Sequence, residues 1–218
     1  MWEVAKVVTK VELEEAMDKR FTKEIYEKFK NARVCIAGLG GLGSNIAIML
    51  ARSGIGTLKL IDFDVVDITN LNRQAYRICH IGIEKTKALK EMVEEINPYI
   101  KVEVCQEKVT EYNIEEIFKG EAYVCEAFDN PEYKALLVNY LLERQPETVV
   151  VSGSGMAGIG NSNAICTKKK MNRLYVCGDG ESDAYKGMGL LAPRVSICAG
   201  HQANVLLQLI TQGDCSLG

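Results

Sequence analysis

Between Val11 and Lys30 the apolar residues Leu13, Ala16, Met17, Phe21, Ile25, Tyr26 and Phe29 recur at three- and four-residue steps among charges. That period predicts one amphipathic helix over 11–30. A short apolar run, Arg33 to Ala37, predicts the first strand, and the glycines Gly38, Gly40, Gly41 and Gly43 end it abruptly. A helix over 44–52, carrying Ile46, Ala47, Met49 and Leu50, follows at once; Gly54 and Gly56 stop it before a strand over 57–61. The alternation continues with helices over 84–96, 113–118 and 131–144 and strands over 102–105, 122–125 and 148–152. Alternating β and α units imply a mostly parallel sheet with helices packed on it, so the expected fold class is α/β of Rossmann type.

Beyond Ser152 the pattern changes. Strands are expected over 164–167 and 173–177, a glycine-rich polar loop over 178–189, and a terminal helix over 195–210 with Ile197, Val205, Leu206, Leu209 and Ile210. No internal repeat is visible, and 218 residues suit one large domain. Its expected parts are a helical segment (1–30), a nucleotide-binding core (31–152) and a C-terminal portion (153–218).

Composition narrows the class. With 47% hydrophobic and 25% charged residues the chain has the balance of a soluble globular protein. A net charge of -3 gives no basic field for nucleic acid, and no apolar run reaches the roughly 18 residues of a membrane span. The first twenty residues carry acids throughout and lack a secretion-type apolar core, so a cytoplasmic location is expected. There the eight cysteines would stay reduced; none lies in a C-x-x-C pair, and Cys35, Cys105 and Cys125 are expected to be buried in strand-like runs.

Gly38-Leu39-Gly40-Gly41-Leu42-Gly43 fits G-x-G-x-x-G directly after a strand and at the start of a helix. Glycines there let backbone N–H groups approach phosphate at the positive end of the helix dipole. Asp62, about 20 residues on at the end of the second strand, is placed to accept ribose hydroxyls. The segment Asp62-Phe63-Asp64 through Asn70-Leu71-Asn72-Arg73-Gln74 then gathers acids, amides and an arginine for which hydride transfer has no use. Attack on an α-phosphate does have a use for them. Arg73 and Lys85 could stabilise charge on the phosphates, and Asp129, after the fourth strand, could hold Mg2+ through a hard carboxylate oxygen. Each has a plain alternative: a surface ion pair for Arg73, a solvated lysine for Lys85, a helix cap for Asp129-Asn130-Pro131. Clustering at the carboxyl ends of successive parallel strands favours function.

These motifs resemble the ThiF/MoeB/HesA group of the ubiquitin-activating superfamily. The likeness runs through GLGGLGSN (38–45), DFDVVDITNLNRQ (62–74), IGIEKTKAL (81–89), Ile96-Asn97-Pro98, FDN (128–130) and GLLAPRVSICAGHQAN (189–204). It implies ATP-dependent adenylation of the terminal glycine of a ubiquitin-like sulfur carrier, most like ThiS of thiamine thiazole synthesis, with a MoaD-like carrier as the alternative. Under it, Gly41 and neighbouring amides contact the triphosphate and Asp62 holds ribose. Asp64, Asn70, Arg73, Gln74, Lys85 and Asn130 surround the nucleotide, Asp129 binds Mg2+, and Arg20 reaches a neighbouring subunit's site in a homodimer. The C-terminal portion then binds the carrier and includes the crossover segment.

The chain also departs from that family. Longer members carry two C-x-x-C pairs that hold zinc; with neither present, zinc is not expected. Where sulfur-transferring members have a crossover cysteine, this chain aligns Tyr185, which leaves Cys177 and Cys198 as possible substitutes for a thiol intermediate and a separate sulfur donor possible. His201 reads as structural and His80 is given no role. An NAD-dependent oxidoreductase and a nucleotide- or carrier-binding module without turnover remain open alternatives.

Overall fold

The computed structural model describes residues 8–183 and 189–214. Its core is a seven-stranded sheet in the order β3-β2-β1-β4-β5-β7-β6. The strands are β1 (Arg33–Ala37), β2 (Thr57–Ile61), β3 (Lys101–Cys105), β4 (Tyr123–Glu126), β5 (Val149–Gly153), β6 (Cys166–Met171) and β7 (Leu174–Gly178). Every neighbouring pair is parallel except β6 with β7, a hairpin that places antiparallel β6 at the edge. The chain therefore has the expected Rossmann-like α/β fold. Strand order reverses between β1 and β4, and in such sheets ligands bind outside the carboxyl ends at that point.

Strand alternation sorts the core into two layers. Val34, Ile36, Leu58, Leu60, Cys125 and Val151 face one side, against α3 (Gly41–Ser53), α4 (Lys85–Ile96) and the long α7 (Ala192–Gln212). Cys35, Ala37, Ile61, Val124 and Val150 face the other, against α5 (Ile114–Phe118) and α6 (Pro131–Arg144). Both faces are covered, as a parallel sheet requires. No helix among the described residues is long and apolar enough to cross a membrane.

Several boundaries differ from the pattern-based expectation. The helix expected over 11–30 is two: α1 (Lys10–Asp18), capped by Thr9, and α2 (Lys23–Asn31), capped by Thr22. A threonine oxygen that accepts a backbone N–H starts a new helix, and the apolar period continues across the break without revealing it. Arg20 thus lies in an exposed turn, not on a helix. The helix after β1 begins at Gly41, because glycines end a strand and open a helix equally well. The last helix begins at Ala192, where Pro193 fits the first turn. Cys35 and Cys125 are fully buried, and burial pushes both thiols well above their ordinary range. Cys105, expected to be buried, is half-exposed near the edge of the sheet.

At the amino ends of the strands an ion-pair network ties four segments. Buried Glu121 accepts Arg33 Nε at 2.8 Å and Nη2 at 2.9 Å, and Lys59 Nζ at 3.2 Å. Arg33 also reaches Glu103 at 2.8 Å. Hydrogen bonds from Arg33 and then Lys101 hold Glu103 down to about 2, from an ordinary 4.5. A depressed carboxylate stabilises the fold above its unfolded value, so this contribution fades as pH falls from 4.5 towards 2. Replacing Glu121 by alanine leaves two cations facing a vacated site, and urea unfolding should show a loss of about 2–3 kcal/mol. An unchanged midpoint would show that the network contributes nothing.

Candidate functional site

The glycine turn between β1 and α3 is fixed from several directions. Gly38 has φ +90, and a Cβ there would lie 2.8 Å from the Ala127 carbonyl oxygen. At Gly43 a Cβ would meet the Gly38 carbonyl oxygen at 1.8 Å, so helix and strand close together only with glycine at that position. The Leu39 N–H donates to Asp62 Oδ2 at 2.6 Å, while its carbonyl accepts the Tyr76 hydroxyl at 2.9 Å. Asp62 Oδ1 accepts the Asp64 N–H at 2.9 Å. Asp62, expected at the ribose, therefore also organises the loop; a carboxylate has about four acceptor positions, which leaves room for a ligand.

Gly40 precedes α3, and among the described residues no side chain caps that helix, so its first-turn N–H groups have no capping side-chain acceptor. Gly41 approaches α7 closely: a Cβ there would be 3.0 Å from Val195 Cγ1 and 3.5 Å from Arg73 Cγ. Leu42, by contrast, is a buried anchor whose side chain packs over Gly153.

The segment after Asp62 is stapled to this turn. Asn45 Nδ2 donates to the Gly41 carbonyl at 2.6 Å and to the Arg73 carbonyl at 3.0 Å. Ser44 Oγ accepts the Ala75 N–H at 3.1 Å. Arg73 Nη1 donates to the Thr69 carbonyl at 3.1 Å and Asn72 Oδ1 at 2.8 Å, but its Nε is buried with no partner. Gln74 Oε1 is likewise buried and unpartnered, and Gln74 Nε2 lies 3.8 Å from where a Gly40 Cβ would be. Orphaned buried polar atoms are rare in folded proteins, and here they sit beside an uncapped helix N-terminus. The combination suits an anionic ligand with polar substituents.

Lys85 opens α4, and its nearly buried ammonium donates to Asp64 Oδ2 at 2.7 Å. Asp64 is thus the residue that holds Lys85, and the ammonium keeps two further N–H donors. Asn70 Oδ1 accepts the Asp67 N–H at 3.0 Å and fixes the turn that precedes Arg73. Asp129 is exposed just past β4, with no polar partner among the described residues. Asn130 caps α6, the alternative its sequence setting offered: its Oδ1 accepts the N–H groups of Glu132 at 2.8 Å and Tyr133 at 3.2 Å, so that oxygen is committed to the helix.

Three contributors were not singled out as site residues by the sequence. Tyr76 links the glycine turn to the α4 region, and burial first, then the nearby Asp62 and Asp64, push its hydroxyl far up. Glu126 is fully buried, accepts the Phe128 N–H at 2.7 Å and Ser152 Oγ at 2.6 Å, pairs with Lys134, and so orders the loop that carries Asp129. Gln202 on α7 bridges the Glu126 and Val151 carbonyls. A buried acid among β-strand hydrophobes is the only clue the chain offers for Glu126.

Other expected residues stand apart. The guanidinium of Arg20 makes no hydrogen bond or ion pair among the described residues. Cys177 and Cys198 are fully buried; Cys198 Sγ donates to the Cys177 carbonyl at 3.3 Å, and burial pushes its thiol up to about 12. Neither is exposed as a nucleophilic thiol must be. Tyr185 lies outside the described residues. His80 Nδ1 accepts the Arg77 N–H at 3.0 Å, and His201 Nδ1 meets Thr167 Oγ1 at 3.0 Å, both local structural bonds.

Comparison with known proteins gives this geometry a context. The profile of the ThiF family matches residues 13–216. The tRNA threonylcarbamoyladenosine dehydratase of Escherichia coli K12 is 35% identical over 137 residues, 62% of this chain and 51% of that protein. The adenylyltransferase and sulfurtransferase MOCS3 of Dictyostelium discoideum is 32% identical over 195 residues, 83% of this chain and 43% of that protein. The chain thus spans about half the length of the curated relatives it matches. The crystal structure of the E. coli dehydratase TcdA with AMP superimposes with a TM-score of 0.84 at 24% identity, covering 96% of this chain and 99% of that one. At that identity the likeness concerns the fold.

The glycines separate into two kinds, and alanine scanning should distinguish them. Gly43→Ala forces a backbone clash and should destabilise the protein by about 3 kcal/mol or prevent folding. Gly40→Ala meets nothing closer than 3.8 Å, so its melting temperature should stay near wild type while binding of a nucleoside triphosphate falls about tenfold or more. Unimpaired binding by Gly40→Ala would remove the turn from the site.

Proposed function

The chain belongs to the ThiF family, and on that premise we propose that it uses ATP to adenylate the C-terminal carboxylate of a small ubiquitin-like sulfur carrier of the ThiS type. The observation that carries the reading is the pair of unpartnered buried atoms, Arg73 Nε and Gln74 Oε1, beside the uncapped turn at Gly40 and Gly41. A carrier carboxylate oxygen attacks the α-phosphorus; the new bond is an acyl–phosphate, the bond broken joins the α-phosphorus to pyrophosphate, and pyrophosphate leaves. Backbone N–H groups of the turn bind phosphate oxygens, Asp62 accepts from ribose, and Arg73 and Lys85 stabilise the charge that grows during attack.

Asp129 would hold Mg2+. A single carboxylate suits that ion, which takes its remaining ligands from phosphates and water; among the described residues no three His, Cys, Asp or Glu side chains are gathered as a cage. The ion would supply charge neutralisation on the phosphates. A homodimer in which Arg20 of one subunit enters the other's site fits the exposure and unpaired state of that arginine. Burial of Cys177 and Cys198 favours release of the carrier as the acyl-adenylate to a separate sulfur donor, without a thioester on either thiol.

A second reading comes from the relatives. A threonylcarbamoyl group on tRNA also presents a carboxylate, so the same phosphorus chemistry could serve it. The net charge of -3 counts against a tRNA substrate, since nucleic-acid affinity rests on cationic contacts with phosphates. A MoaD-type carrier is the nearer variant of the first reading.

Pyrophosphate–ATP exchange separates these possibilities. Exchange should require a glycine-ended carrier, with ThiS-type and MoaD-type proteins compared side by side, and should not be stimulated by threonylcarbamoylated tRNA. Stimulation by that tRNA alone would reverse the order of the two readings; absence of exchange with every one of these substrates would leave only a nucleotide-binding module. Arg73→Ala and Lys85→Ala should each lower the exchange rate about 100-fold with smaller effects on ATP affinity, because their bonds strengthen mainly in the transition state. Asp129→Ala should lose Mg2+-dependent exchange with an unchanged melting temperature. Wild-type exchange by any one of the three would remove that residue from the mechanism.

A further inference from the structure

Asn72 joins two parts of the molecule that are far apart in sequence. Its side-chain Oδ1 accepts Arg73 Nη1 at 2.8 Å, and its Nδ2 donates to the Leu190 carbonyl at 3.0 Å. The amide orientation follows from its neighbours. Turned over, it would set an NH2 group against a guanidinium and an oxygen against a carbonyl oxygen, losing both bonds. Leu190 belongs to the stretch that leads into α7, whose Val195 packs against the glycine turn at Gly41. That stretch has a second tether, from the Gly158 N–H to the Gly189 carbonyl at 2.8 Å.

Arg73 itself is only partly satisfied, since its Nε is buried without a partner. A guanidinium in that state can take an anionic ligand only if its hydrogen bonds are redistributed or tightened. Asn72 is the side chain that would feel the change and pass it on, because its two polar atoms belong to one rigid plane.

We propose that Asn72 is a positioning residue that couples Arg73 to the Gly189–Leu191 stretch, so that filling the nucleotide site fixes the chain leading into α7. By reciprocity, a protein partner that fixes that chain would strengthen nucleotide binding. This deepens the nucleotide reading and rests on Arg73 facing the phosphates.

The substitution Asn72→Asp separates the two bonds. A carboxylate still accepts from Arg73 but cannot donate to the Leu190 carbonyl, whereas Asn72→Ala removes both. Hydrogen exchange at the Gly189, Leu190 and Leu191 amides is to be followed with and without Mg2+ and β,γ-imido-ATP, with binding of the analogue measured by calorimetry on the same samples. In wild type the bound analogue should slow exchange there about fivefold, the weight of one ordinary hydrogen bond. In Asn72→Asp and Asn72→Ala the slowing should vanish, although Asn72→Asp still binds the analogue. Persistence of the slowing in Asn72→Asp would overturn the coupling. So would its absence in wild type with the analogue bound, or loss of analogue binding by Asn72→Asp. If wild type itself does not bind the analogue, the nucleotide reading fails and the coupling with it.

Discussion

The bond between the Leu39 N–H and the Asp62 carboxylate is the constraint from which the site follows. It spans the carboxyl ends of β1 and β2 and fixes the glycine segment that leads into the uncapped N-terminus of α3. Tyr76 holds the same residue from its carbonyl side, while Ser44 and Asn45 clip the Arg73 segment to the turn. The backbone of an anion site built this way needs little rearrangement when its ligand arrives, because the turn is already held in place; the adjustment falls on the Arg73 side chain. The site's cost is the exposed dipole and two orphaned atoms: Arg73 Nε, a donor that a phosphate oxygen would satisfy, and Gln74 Oε1, an acceptor that a hydroxyl of the ligand would satisfy.

The far end of the molecule closes on this site. Residue Val195 of α7 touches Gly41, Gln202 bridges the ends of β4 and β5, and Arg194, nearly fully buried, joins the Asn161 carbonyl to Asp179. Burial would raise the Asp179 carboxyl, but hydrogen bonds from Ser182 and Glu181 and the charge of Arg194 bring it below its ordinary value. The C-terminal portion is therefore packed onto the carboxyl end of the sheet through apolar and polar contacts alike.

The alternation of strands and helices was legible because burial on both faces of a parallel sheet leaves an apolar run for each strand and a 3.6-residue period for each helix. The Gly38–Gly43 turn and Asp62 were legible because their spacing is dictated by close approach of backbone. The break between α1 and α2 was not, since Thr22 caps a helix without interrupting the apolar period. Asn130 stayed ambiguous because a capping amide and a ligand-binding amide are the same residue in a sequence; the structure shows its oxygen in the cap. The roles of Tyr76, Glu126 and Asn72 were not legible for a different reason: each depends on a partner dozens of positions away, Leu39, Ser152 and Leu190, and no local pattern records such pairs.

The central claim is that the turn at Gly40 and Gly41, with Arg73 and Lys85, is built for the triphosphate of ATP. Competition titration of wild-type protein with ATP, AMP and NAD in the presence of Mg2+ tests it most directly. ATP should bind more tightly than AMP, because the added phosphates engage the cationic side chains, and NAD should compete weakly or not at all. NAD binding more tightly than ATP, or AMP and ATP binding equally, would contradict the account.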